Sequence, residues 1–293
     1  MGWLEKISVI SILLFPLFLT FDFYSGEDIK DKEAKVLALW ILPENLLEIS
    51  GFCRMDENRV ACIQDEKGVV FIYNFLSCEV ERQVPFGPDG DYEDISFSQG
   101  IFYVLRSDGV IFCISETGRP SPRVTQHDLP LNIKTDVEGL CLDPSGKRLL
   151  VVVKSPVPEM EKPVYEITLP GLKLNKNPAY KIRFESFIRK EAAANPKKVK
   201  EKGFSDFSSD LAKDFLFASI AIHPRTGDLY LTDGEHSKLI VADRQGEVKT
   251  VYKLDSDYLP KSEGISFMPS GELFISSEGE NKKPGVIARV KIL

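Results

Sequence analysis

The stretch Glu138-Gly139-Leu140-Cys141-Leu142-Asp143-Pro144-Ser145-Gly146, with the apolar run 149–153 behind it, sets the fold of this chain. It is an acidic residue, a small residue, a β run, a Gly turn and a second β run. The same phrase opens at Ser50-Gly51-Phe52, Glu93-Asp94-Ile95, Ala218-Ser219-Ile220 and Glu263-Gly264-Ile265. Successive starts lie 43, 45, 80 and 45 residues apart. A regular period of about 40 to 50 residues marks propeller blades or a similar array.

The register extends past the opening letters. Asp143-Pro144-Ser145-Gly146 is matched by His223-Pro224-Arg225-Thr226-Gly227 and by Met268-Pro269-Ser270-Gly271. Second apolar runs follow at 60–63, 102–105, 149–153, 229–231 and 273–275, with third runs such as 69–73, 110–114 and 239–241. Short β-branched and aromatic segments between Gly, Pro, Asp and Ser are hairpin chemistry, and four strands make one blade. The last copy supplies only three strands before Leu293, and residues 35–42 read as a lone strand ahead of the first full repeat. Pairing the two removes an open sheet edge. The expectation is an all-β, five-bladed β-propeller over residues 35–293, closed by an N-terminal strand, with six blades as the alternative.

A formal net charge of −7 disfavours nucleic acid as a partner, because binding a phosphate backbone needs a basic stripe. It suits a cation. Ahead of the propeller, Lys6 precedes an apolar run at 7–21 of signal-peptide length, short of a comfortable membrane span. Phe23 and Tyr24 stand where a cleavage site wants small residues, so residues 1–26 read as a signal peptide or a membrane anchor, and 27–34 as a charged tether. Either way the propeller is expected outside the cytoplasm, periplasmic or anchored facing outward. The five cysteines fit no zinc spacing. Cys53 and Cys141 fall where other copies hold Ser96, Ala221 and Ser266, which makes them small buried residues. A Cys53–Cys62 bridge across one hairpin is conceivable in an oxidising compartment.

Residues at one phase of five inner strands meet around a propeller's central channel. That phase holds Ser50, Glu93, Glu138, Ala218 and Glu263, and two residues earlier stand Glu48, Asp91, Asp136 and Lys261. The ends of the second strands join the same rim with Asp65, Glu66, Arg106, Lys154, Asp233, Glu235 and Glu278. Crowded carboxylates raise one another's pKa and cost stability, so something balances them. Arg106 and Lys154 supply part of this, and a bound cation can supply the rest. Calcium fits a set of oxygen donors in loose geometry, with Glu48, Glu93, Glu138 and Glu263 as candidate ligands. The scarcity of His and Cys weighs against zinc. The simpler alternative is that these glutamates cap neighbouring strands or form salt bridges in water.

The same residues carry a family resemblance. Glu48-Ile-Ser-Gly51 followed by Gln64-Asp-Glu66, Asp91-Tyr-Glu-Asp94, Val137-Glu-Gly-Leu140 with Lys154, Ser219-Ile-Ala-Ile-His-Pro224, and Ser262-Glu-Gly-Ile265 with Ser277-Glu278 resemble the SdiA-regulated family of bacterial envelope proteins. The resemblance implies a five-bladed propeller distantly related to NHL repeats, with a calcium site and no established enzymatic activity. The chain departs from the family at Phe217-Ala218-Ser219, where Pro-Ser-Ala is usual.

The long interval between the third and fourth copies holds a surplus segment at 185–217, locally basic through Arg189, Lys190, Lys197, Lys198, Lys200 and Lys202. Glu191-Ala-Ala-Ala194 favours helix and Pro196 interrupts it. Its place in the chain puts it beside or over the acidic mouth. Of the histidines, only His236 lies near the rim, as the one plausible general base. The functional expectation is an exported monomer that binds calcium at its mouth and presents that face to an envelope protein or small ligand. The alternative is a calcium-dependent hydrolase of phosphoesters or lactones, in which metal polarises the substrate and activates water.

Overall fold

Strand β1 (Lys32–Ile41) is the outer strand of the last blade in a computed structural model that describes residues 32–119, 121–130, 137–154, 160–213, 215–279 and 283–292. It begins three residues before the expected 35–42 strand. The leader 1–26 and residues 27–31 of the tether lie outside the described residues, and no described helix is long and apolar enough to cross a membrane.

The first blade is β2 (Ile49–Arg54), β3 (Arg59–Gln64), β4 (Val69–Asn74) and β5 (Glu79–Pro85), an antiparallel meander. The second is β6 (Tyr92–Ser98), β7 (Ile101–Arg106), β8 (Val110–Ser115) and β9 (Arg123–Asp128), and the third is β10 (Val137–Leu142), β11 (Arg148–Val153), β12 (Glu161–Thr168) and β13 (Lys173–Arg183). Helices α1 (Glu185–Ala194), α2 (Pro196–Lys202) and α3 (Phe204–Lys213) come next. The fourth blade is β14 (Phe217–Ile222), β15 (Leu229–Asp233), β16 (Lys238–Ala242) and β17 (Val248–Lys253). The fifth is β18 (Gly264–Phe267), β19 (Leu273–Ser277) and β20 (Val286–Ile292), completed by β1 antiparallel to β20.

Two observations count five blades among the described residues. The inner strands neighbour one another in a closed cycle, β2 to β6 to β10 to β14 to β18 and back to β2. Each pair of adjacent blades also encloses its own apolar cluster. Trp40, Leu42, Phe274 and Ile287 of the fifth blade meet Phe52, Val60 and Phe71 of the first, which seals the ring. Apolar faces on both sides of each sheet are what such stacking buries. The segment 185–213 is helical and adds no blade among the described residues. At its start β1 also pairs in parallel with β17, through Lys32 with Tyr252 and Glu33 with Lys253, which joins the fourth and fifth blades into one eight-stranded sheet.

Pro196, expected to interrupt a helix, opens α2 at the first-turn position where its missing N–H costs nothing. The segment is more than decoration at its ends. Ile188, Ala212 and Phe215 are sealed in the cluster between the third and fourth blades, with Phe184 stacked on Phe215 at 4.3 Å between ring centroids. All five thiols are free, and the β2–β3 register sets Cys53 opposite Ala61 and Cys62 opposite Phe52.

The inner strands approach so closely that the small residue of the repeat is a steric requirement. A Cβ on Gly139 would lie 2.7 Å from the Ser219 Cα, and one on Gly51 would lie 2.2 Å from the Asp94 Oδ1. We expect Gly51→Ala to destabilise the fold by about 1–3 kcal/mol, the usual cost of overpacking, and Gly118→Ala, where nothing lies within 4 Å, to have almost no effect. Urea unfolding of the two variants measures the difference.

Candidate functional site

Four of the five inner strands carry a β-bulge at the same phase. The ladder skips from Tyr92 to Asp94 on β6, from Val137 to Gly139 on β10 and from Phe217 to Ser219 on β14, and it slips between Ile49 and Phe52 on β2. The skipped residues are Glu93, Glu138, Ala218 and the pair Ser50 and Gly51. On the fifth blade Glu263 stands immediately before β18. A bulge leaves one residue unpaired and re-aims its side chain, so it turns the glutamates out of their sheets and toward the axis.

Glu93, Glu138 and Glu263 meet around Lys154, which follows β11. The Lys154 Nζ lies 3.6 Å from the Glu138 Oε1 and 3.6 Å from Glu235, and Glu138 is 5% exposed. Burial, then Glu138, Asp91 and Glu263, push the Glu93 carboxyl far above the carboxylate range, with Lys154 pulling it back. Burial, Glu278 and Glu138 push Glu263 up to about 7. Burial opposes the charge on Lys154, yet Glu138, Glu263, Glu235 and Glu93 together hold its pKa above the ordinary lysine value.

A second carboxylate group adjoins the first. Burial, then Glu278, Glu48, Asp91 and Glu66, raise Asp65 to about 6. Glu48, expected among the metal ligands, is exposed ahead of β2 and stands with Asp65. Lys261 is bound to Glu278 at 2.9 Å. Arg106, expected to balance the rim, is turned away from it. Its guanidinium is held by Asp108 at 2.8 Å and lies 5.3 Å from the Phe112 ring. Asp136 lies outside the described residues.

Asp233 is fully buried and does structural work at the lip. It accepts the Leu216 and His236 amides and faces the His236 Nδ1 at 3.0 Å. The next residue, Gly234, abuts Glu263, since a Cβ there would lie 2.6 Å from the Glu263 Oε1. The imidazole therefore belongs to the loop that walls the glutamates. Two of the basic residues of the helices are paired inside the segment. Arg189 pairs with Glu185 and Lys202 with Asp210, both within the segment, and α1 packs on β17.

Beneath the glutamates lies a residue that sequence reasoning passed over. Asp94, 2% exposed, accepts the Leu140 amide of the third blade at 2.8 Å and the Ser219 hydroxyl of the fourth at 2.7 Å, with its own Ile95 amide at 2.8 Å. Burial raises it to about 7 against those donors. Together with its contact to Gly51 of the first blade, it links the inner strands of four blades beside the acidic cup that Glu93, Glu138 and Glu263 line. The available signal was that Asp94 stands where other copies have Gly or Ser.

The donor set is oxygen-rich. Among the described residues the Ser50 Oγ and the Asp65 Oδ1 are buried with no hydrogen-bond partner. Also among the described residues, no three His, Cys, Asp or Glu side chains are grouped closely enough to hold a metal ion as they stand.

No family model and no curated protein matches the chain. Among solved structures it is similar to glutaminyl cyclase of Myxococcus xanthus, with a TM-score of 0.58 at 13% identity over 89% of this chain and 97% of that one. It is also similar to the PQQ-bound aldose sugar dehydrogenase of Streptomyces coelicolor, with a TM-score of 0.55 at 10% identity over 90% and 99% of the two chains. Likeness at this identity shows the propeller fold and nothing of the chemistry in the cup.

Carboxyls raised in the folded state hold protons that the unfolded chain gives up. Their stabilising contribution is complete below the unfolded pKa values, near 4, and is lost as pH rises through the folded ones. Asp65 at about 6, and Asp94 and Glu263 at about 7, place that loss between about pH 4 and 7. Without added cation, stability should fall by on the order of 2 kcal/mol across this window. Glu263→Gln should flatten the slope, as read by thermal melting at a series of pH values.

Proposed function

We propose that this chain is an exported, calcium-binding propeller of the cell envelope that presents its acidic cup to a protein or small ligand. The observation that carries this reading is the convergence of Glu93, Glu138 and Glu263 on one ammonium group, the first two aimed by bulges. Three carboxyl groups crowd one ammonium and hold protons to do so, and a cation that takes the place of those protons is worth more in this half-buried space than it is in water. Glu93, Glu138 and Glu263 would supply carboxylate oxygens, the unpartnered Ser50 hydroxyl lies at the same phase, and water would complete the six to eight ligands that calcium takes. The ion supplies positive charge that Lys154 provides only at one side. The motif likeness to the SdiA-regulated family supports the same reading, and the apolar run 7–21 supports export. The acidic balance speaks against nucleic acid.

Calcium should raise the melting temperature reversibly, by an amount equivalent to about 2.7 kcal/mol at one hundred times the dissociation constant. Glu138→Gln and Glu263→Gln should each remove most of the shift. Unchanged melting of the wild-type chain in saturating calcium, measured by calorimetry before and after chelation, would leave the cup a salt-bridged rim.

The Asp233–His236 pair favours calcium-dependent hydrolysis as a second reading. A buried carboxylate holding the Nδ1 leaves the Nε2 as an oriented base at the lip of the cup. Under this reading His236→Ala keeps the calcium-induced melting shift and loses calcium-stimulated turnover of p-nitrophenyl phosphate or a γ-lactone. Absence of turnover by the wild-type chain on both probes sinks it.

A further inference from the structure

The five outer strands occupy equivalent places on the propeller's flank, which makes four of them controls for the fifth. On β5, β9, β13 and β17 the exposed positions are polar apart from Pro85, as at Glu81, Gln126, Lys181 and Lys249. β1 differs. It exposes Leu37 at 43%, Leu39 at 36% and Ile41 at 62%, and beside it Tyr258 is 42% exposed. Leu39 and Ile41 line a shallow groove of about 150 Å³ with Tyr258, Pro284 and Val286, and Asp257, Glu278 and Lys283 also line it. Beyond Glu33 the outer edge of β1 has no strand partner among the described residues. An apolar open edge is a liability that proteins blunt with charge or cover.

The position of this strand in the chain indicates what covers it. The apolar run 7–21 ends ten residues before Lys32. Ten residues span at most about 36 Å when fully extended, so a run held in a membrane keeps the start of β1 close to it. We propose that the open face of β1, with Tyr258, rests on the surface of a lipid bilayer. This rests on the reading of residues 7–21 as a membrane anchor.

The contact is shallow, about 5–10 Å into the headgroup boundary, where leucine side chains and a tyrosine ring are favoured and water still reaches the unpaired edge groups of the strand. Deeper insertion would strand those groups in hydrocarbon. The propeller then lies on its flank along the fifth blade, and the cup opens along the membrane surface.

The test uses the full chain with Cys78, its exposed thiol, changed to Ser. Leu39→Cys, and Leu37→Cys should the first fold poorly, is labelled with bimane and compared with Gln126→Cys on β9. The chains are reconstituted on vesicles of phosphatidylcholine with a minor share of phosphatidylglycerol. Lipids bearing a shallow nitroxide should quench the label on β1 about twofold or more beyond the label on β9. Equal quenching in chains that float with the vesicles would overturn the docking face and leave the anchor standing. Failure to float would overturn both. A change at position 39 that follows protein density and not lipid would put a second copy of the chain on the strand, against the proposal.

Discussion

The carboxylate of Asp94 is the contact on which the inner ring depends. It comes from the second blade, abuts Gly51 of the first, and accepts hydrogen bonds from Leu140 of the third and Ser219 of the fourth. A propeller has no single core. Here five apolar clusters lie between blades, and the axis is left to polar groups. Something must occupy that axis without leaving backbone donors unpaired, since each buried unpaired group costs about 1–3 kcal/mol. One aspartate does this because its oxygens reach several strands at once, and the inner strands approach one another closely because Gly51, Gly139 and Gly264 have no side chain. The polar stitching continues with Ser96 to the Leu140 carbonyl and Ser276 to the Ser50 carbonyl.

Above this floor the recurring bulge converts a structural repeat into a chemical site. Within a regular strand the glutamates would point into the interfaces between blades, among leucines and valines. The extra residue in the ladder turns Glu93 and Glu138 to the axis, where they meet Glu263, which precedes its strand, and Lys154. The resulting cup holds its carboxyls partly protonated near neutral pH, a cost that a cation or a cationic group can relieve. Asp233 and His236 bind the loop that walls the cup, which couples the lip to the fourth blade's first hairpin.

Closure follows a different logic. β1 completes the fifth blade by pairing with β20 and staples the fourth by its short parallel contact with β17, so the N-terminal strand touches two blades at once. It carries apolar residues on a flank where its four counterparts carry charge. The helices after the third blade are anchored by Ile188, Ala212 and Phe215 in the neighbouring interface, and their basic residues are paired among themselves where partners are described.

The sequence by itself determined the five-fold repeat, the four-strand blade and closure across the termini, because hydrophobic periodicity and Gly or Pro turns are local signals that every copy states again. It also named the phase at which Glu93, Glu138 and Glu263 converge. The tertiary structure decided the rest. That Arg106 turns to Asp108 depends on local side-chain geometry, and that Glu48 stands with Asp65 and Asp94 binds Leu140 and Ser219 depends on reach between residues far apart in sequence. The bulges that aim the glutamates, and the parallel pairing of β1 with β17, are properties of the register between strands, which neither strand's residues encode alone.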